Sequence, residues 1–120
     1  MLANLFRQLL KSSRPGPQQA RWLGNELASA IRLQQSGEHA QAESIYRAVL
    51  ERNPDHADAL HLLGCNLIAQ RRLDEAIAVL LRVSGIDPAC AEAHYNLAGA
   101  YSARGDLGSA LKSYGEALRL

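Results

Sequence analysis

Pro54 and Pro88 stand 34 residues apart, one in Arg-Asn-Pro-Asp-His and the other in Gly-Ile-Asp-Pro-Ala. A fixed period of that size marks a repeat array, and it decides the fold before any residue is read singly. Three windows align on it: residues 23–56, 57–90 and 91–120, the last four residues short. Their columns agree in chemistry. The eighth position holds Ala30, Gly64 and Ala98, and the twentieth holds Ala42, Ala76 and Ala110. The eleventh holds Leu33, Leu67 and Tyr101, the twenty-fourth Tyr46, Leu80 and Tyr114, and the twenty-seventh Val49, Val83 and Ala117. Small residues at two columns let a pair of helices approach closely, and the larger ones fill the space beside that contact.

Composition fixes the element type. Leu and Ala occur 20 times each, Val and Ile together only 8 times, and Thr is absent. Leu and Ala lose little freedom in a helix, whereas strands draw on β-branched and aromatic residues. The prediction is an all-α chain of one domain, each window being two helices. Gly37 and Gly105 fall at mid-window, where a left-handed residue ends a helix, and Arg71 stands in the matching place. Asp74, Glu75 and Glu38 fall near the starts of the second helices, where the helix dipole favours negative charge. The prolines are expected at the start of the following repeat, where a missing N–H costs little.

In period, in the small–small–large–small columns and in the prolines, residues 23–120 resemble the tetratricopeptide repeat family. The resemblance implies a right-handed superhelix of stacked antiparallel helix pairs with a concave groove lined by the first helix of each pair. Position four is the departure: it holds Glu26, Leu60 and His94, where the family often has a large apolar residue. Glu26 marks the first repeat as degenerate, or as an end cap.

The expected organisation is an N-terminal amphipathic segment with a Pro/Gly linker at residues 1–17, then a repeat domain at 18–120. Within residues 1–12, Leu2, Leu5, Phe6, Leu9 and Leu10 form one helical stripe. So short a helix is not stable alone, so a cap on the first repeat, a dimer contact or a membrane surface must cover it. At the other end, Leu111, Tyr114 and Leu118 belong to a helix without a following polar cap. Solenoid ends need a polar face, so continuation of the array, or self-association through either end, is expected.

Charge and motifs exclude several functions. Thirteen basic and twelve acidic residues give +1, with no clustered basic stripe, so no nucleic-acid partner is expected. No apolar run is long enough to cross a membrane, and no secretory signal is legible. Cys65 and Cys90 make no disulfide framework, which suits a reducing, cytoplasmic setting. Phosphate loops, His-Glu-x-x-His and Cys-x-x-Cys are absent, so the chain is not read as an enzyme and no cofactor is expected. His61 and Cys65 share a helix face, but zinc takes three or four ligands, and a groove-lining pair without metal is the expectation.

By the resemblance, the groove residues are Leu27, Ile31 and Gln34 in the first repeat, Asp58, His61, Leu62 and Cys65 in the second, and Glu92, Tyr95 and Asn96 in the third. Family members that clamp the carboxylates of chaperone tails use Lys, Asn and Arg at such positions. Here no Lys or Arg occupies them and two acids do, which argues against a carboxylate clamp. Asn96 matches the sixth-position asparagine of the O-GlcNAc transferase repeats, which grips peptide backbone; Ala28 and Leu62 stand at the equivalent places. The remaining apolar strip suits a hydrophobic peptide or an amphipathic helix, with some of it packed between repeats. Polar groups such as Asn96 and Gln34 are expected to hold the ligand backbone. The expected function is therefore a protein-interaction adaptor or scaffold. The alternative is the N-terminal repeat arm of a larger enzyme, glycosyltransferase- or sulfotransferase-like, that recruits its substrate.

Overall fold

The computed structural model describes residues 17–120, with side chains from Leu23 onward; the expected amphipathic stripe of residues 1–12 lies outside them. The described residues form six helices and no strand: α1 (Pro17–Gln35), α2 (His39–Arg52), α3 (Ala57–Ala69), α4 (Leu73–Ile86), α5 (Ala91–Arg104) and α6 (Leu107–Arg119). The all-α expectation holds. Pro17 occupies the first helical position of α1, where its fixed φ suits the helix and its missing N–H has no partner to lose.

All three helix pairs close in the same way. Glu38 N–H reaches Leu33 O at 2.8 Å and Gly37 N–H reaches Gln34 O at 3.0 Å. Arg72 and Arg71 repeat this onto Leu67 and Ile68, and Asp106 and Gly105 onto Tyr101 and Ser102. These paired bonds satisfy the last helical carbonyls and require a left-handed residue at the turn. Gly37 (φ 86°), Gly105 (φ 92°) and Arg71 (φ 63°) supply it. Arg71 is the non-glycine residue that carries the strain.

The prolines sit elsewhere than expected. Pro54 and Pro88 lie in the turns between pairs, outside any helix. His56 N–H bonds Asn53 O, and Cys90 N–H bonds Asp87 O, each at 3.1 Å. Both are four-residue turns with proline second and Asn or Asp first, the residue types such turns favour. Proline's φ serves the turn here rather than the helix start.

The chain divides into two compact units, Met1–Ala59 and Leu60–Leu120. In the first, α1 packs on α2 and buries Leu23, Leu27, Ala30, Ala42, Tyr46 and Val49. In the second, α4 packs on α5 and α5 on α6. Ile77, Leu80, Leu97 and Ala100 form its core, with Ile68 and Tyr101 against it. The small columns act as expected. A Cβ on Gly64 of α3 would stand 2.7 Å from Cγ and Cδ2 of Leu80 on α4, so only glycine permits that approach. Arg104 of α5 ties back to Asp74 of α4 at 2.7 Å, an exposed pair of small energetic weight. On α6, Leu107, Leu111 and Leu118 are exposed, Leu118 to 87 %.

Candidate functional site

The first unit carries four of the groove candidates, Leu27, Ile31, Gln34 and Asp58. Leu27 and Ile31 are buried. Gln34 lies near the end of α1, where its Oε1 accepts the Tyr46 hydroxyl at 2.9 Å. Asp58 stands in the first turn of α3, placed well for the helix dipole. Just before that helix, His56 is buried, and its Nδ1 accepts the Ala59 N–H at 3.2 Å, as a capping side chain does. Its Nε2 is buried without a partner, and burial holds its pKa below the ordinary value. From the sequence, His56 shares a repeat column with Cys90, which reflects the period and assigns it no role. The signal was a polar side chain immediately ahead of an apolar helical run.

The second unit brings three candidates, His61, Cys65 and Asn96, together. His61 and Cys65 lie one turn apart on α3, and Glu92, Tyr95 and Asn96 share a face of α5 by their spacing. Asn96 Nδ2 lies 2.7 Å from His61 Nε2 and donates to Cys65 Sγ at 3.4 Å. That bond assigns the ring: Nε2 accepts, so the proton resides on Nδ1, which is buried without a partner. His61 is only 2 % exposed, and burial lowers its pKa, opposed by the negative charge of Glu92. The imidazole is therefore neutral at physiological pH. Burial, with the nearby Glu92 charge adding to it, pushes the Cys65 thiol up to about 12. It stays a thiol, neither nucleophile nor ready ligand. Among the described residues no three His, Cys, Asp or Glu side chains are arranged to hold a metal ion.

Leu62 is buried, whereas Tyr95 is 55 % exposed. The Tyr95 ring meets Tyr114 of α6 edge-on, with centroids 5.8 Å apart, a geometry favoured by the ring quadrupoles. One turn before it, Glu92 has a carboxylate oxygen, Oε2, that is buried and accepts no hydrogen bond.

The tetratricopeptide repeat pattern matches residues 33–92 and 67–119, together well over half of the chain. This chain belongs to the tetratricopeptide repeat family. Its TPR fold is also that of solved structures. A structure titled "MamA MSR-1 C2" is 24 % identical with a TM-score of 0.72, covering 78 % of this chain and 54 % of its own. The second TPR of Spaghetti (RPAP3), bound to the HSP90 peptide SRMEEVD, is 16 % identical with a TM-score of 0.76, covering 80 % of this chain and 89 % of its own. A mutant Thermobaculum terrenum O-GlcNAc transferase is 28 % identical with a TM-score of 0.73; the match covers 98 % of this chain but 19 % of the transferase. The chain thus spans about half the length of the MamA structure it matches. No curated protein matches by sequence.

Within this TPR chain the groove candidates separate by burial. Leu27, Ile31, His61 and Leu62 are buried, and Gln34 Oε1 and Asn96 Nδ2 are engaged inside the protein. A fully buried Asn66 on α3 also escaped the sequence reading; a polar residue among leucines gives no sign of which way it faces. No described helix is long and apolar enough to cross a membrane.

Proposed function

We propose that the protein is an interaction module that binds an extended peptide or a helix on the exposed face of α5 in its second unit, and acts as an adaptor or scaffold in the cytoplasm. Residues 18–120 serve as the binding domain, and residues 1–17 as the segment that leads into it. One observation carries the reading: α5 leaves Tyr95 55 % exposed on the same helix face as Glu92 and Asn96. Exposed aromatics on a rigid helix anchor partners at little entropic cost. Membership of the TPR family supports the reading, and a solved TPR is bound to a peptide.

The test compares partner capture by Tyr95→Ala with capture by Leu81→Ser. Leu81 is exposed on α4, a second helix. Tyr95→Ala abolishes capture at unchanged helical CD, and Leu81→Ser leaves it intact. The reverse pattern overturns the proposal. Leu62 is unsuitable for this purpose, because a charge at a buried site tests folding instead.

A second reading is a repeat arm within a longer polypeptide that recruits substrate for an enzyme. The match of almost the whole chain to a fifth of an O-GlcNAc transferase favours it. The exposed stripe of Leu107, Leu111 and Leu118 offers a surface on which a further helix would stack. Blotting source cells with an antibody to residues 23–120 decides it: a band far above 13.0 kDa supports the arm, and a band at that mass removes it.

A further inference from the structure

On α4, Ile77 and Leu80 are buried in one cluster with Leu97 and Ala100 of α5. One repeat later the same two columns hold Leu111 and Tyr114 on α6. Leu111 is 72 % exposed, and Leu107, one turn before it, and Leu118, one turn after Tyr114, are exposed as well. From Leu107 the steps to Leu111, Tyr114 and Leu118 are four, three and four residues, the spacing of a coiled-coil seam. Beside the seam, a Cβ on Gly115 would meet no atom within 4 Å, so a second helix can come close there. By its columns α6 is a helix-packing face, and no described helix packs on those leucines.

Copies of this chain do not suit end-to-end stacking on that face. At the columns of Leu97 and Ala100, α1 holds Ser29 and Arg32, and the Arg32 guanidinium donates to the Ser29 hydroxyl at 3.3 Å. A polar face of that kind caps an array and gives the leucines no apolar cover. The surface complementary to α6 is α6 itself. Antiparallel pairing about a two-fold axis sets Leu107 against the partner's Leu118, and Leu111 against the partner's Tyr114. The same register brings the Asp106 carboxylate to the partner's Arg119 at both ends of the pair, and both side chains are open to solvent. We propose that α6 pairs antiparallel with α6 of a second copy through Leu107, Leu111, Tyr114 and Leu118. The pairing does not depend on the peptide-binding reading. It takes the face that the repeat-arm reading gives to a following helix, so those two are exclusive.

Sedimentation equilibrium of the full chain over a concentration series tests it. The mass rises with concentration from 13.0 kDa toward twice that value. One helix pair buries less than a standard interface of about 1,600 Å², so the dissociation constant is on the order of micromolar. Leu111→Glu and Leu118→Glu change exposed positions, so the fold survives them, and thermal melts confirm it. Each weakens the dimer by about a hundredfold, because it brings a charge into the seam of both copies. Leu81→Glu, at an exposed position on α4, leaves the mass curve unchanged. Register is read in a Cys90→Ser background with glutathione disulfide as oxidant: Leu107→Cys mixed with Leu118→Cys gives a cross-linked pair, and either variant alone gives none. A monomer at every concentration, a dimer untouched by Leu111→Glu and Leu118→Glu, or cross-links within either cysteine variant alone overturns the inference.

Discussion

The side-chain amide of Asn96 lies 2.7 Å from Nε2 of His61, joining α5 to α3 inside the second unit. The residue that sequence analysis assigned to a ligand's backbone thus uses its donor on a buried imidazole. Asn96→Leu leaves that imidazole nitrogen without a donor, at a cost of about 1–3 kcal/mol. Replacing both partners by leucine removes the unpaired group, so the double variant loses less than the two single variants added together. Urea unfolding of the four proteins measures the coupling.

Stability falls as the solution is acidified below about pH 6.5, the ordinary histidine value. Burial lowers the pKa of both His56 and His61. Below that pH the unfolded chain takes up protons that the folded one refuses, so unfolding gains free energy. Above it both states hold neutral rings and the contribution is constant. Urea midpoints from pH 8 down to pH 5 show the slope, and His61→Gln makes it shallower. A midpoint that rises on acidification contradicts the assignment.

Gly64→Ala tests the closest helix approach. Alanine gains about 1 kcal/mol of helix propensity over glycine. The added Cβ stands 2.7 Å from the branch carbon of Leu80, and overpacking of that kind costs about 1–3 kcal/mol. The overlap outweighs the propensity, and the variant is less stable than wild type. Because Leu80→Ala removes the obstacle, Gly64→Ala becomes stabilising in that background. Thermal melts of the set report both signs.

Arg71→Gly is expected to stabilise by about 0.5–1 kcal/mol. Arg71 is exposed at φ 63°, where an L side chain is strained by roughly 1–2 kcal/mol and the added freedom of unfolded glycine returns part of the gain. Gly37→Ala and Gly105→Ala act in the opposite direction. No atom lies within 4 Å of either added Cβ, so their loss of about 1 kcal/mol is backbone strain alone.

The sequence revealed periodic packing better than surface chemistry. Column spacing located the close approach at Gly64 and the three left-handed turn positions, because those constraints recur once per repeat. The prolines misled, since a proline before a helix reads alike whether it sits at the first helical position or second in a turn. Groove membership was legible by column but exposure was not. Leu62 and Tyr95 fall in adjacent groove columns, yet Leu62 is 1 % exposed and Tyr95 55 %. Burial depends on what packs alongside, which the repeat period does not encode. The Asn96–His61 bond spans 35 residues of sequence, and nothing local to either residue announces it.

The most direct test places a photo-cross-linking amino acid at position 95 in one protein and at position 81 in another, each expressed in the source cells. Position 95 is expected to capture a discrete partner, and position 81, also exposed, on α4, to capture none. A cross-link from position 81 with none from position 95 would contradict binding on the exposed face of α5.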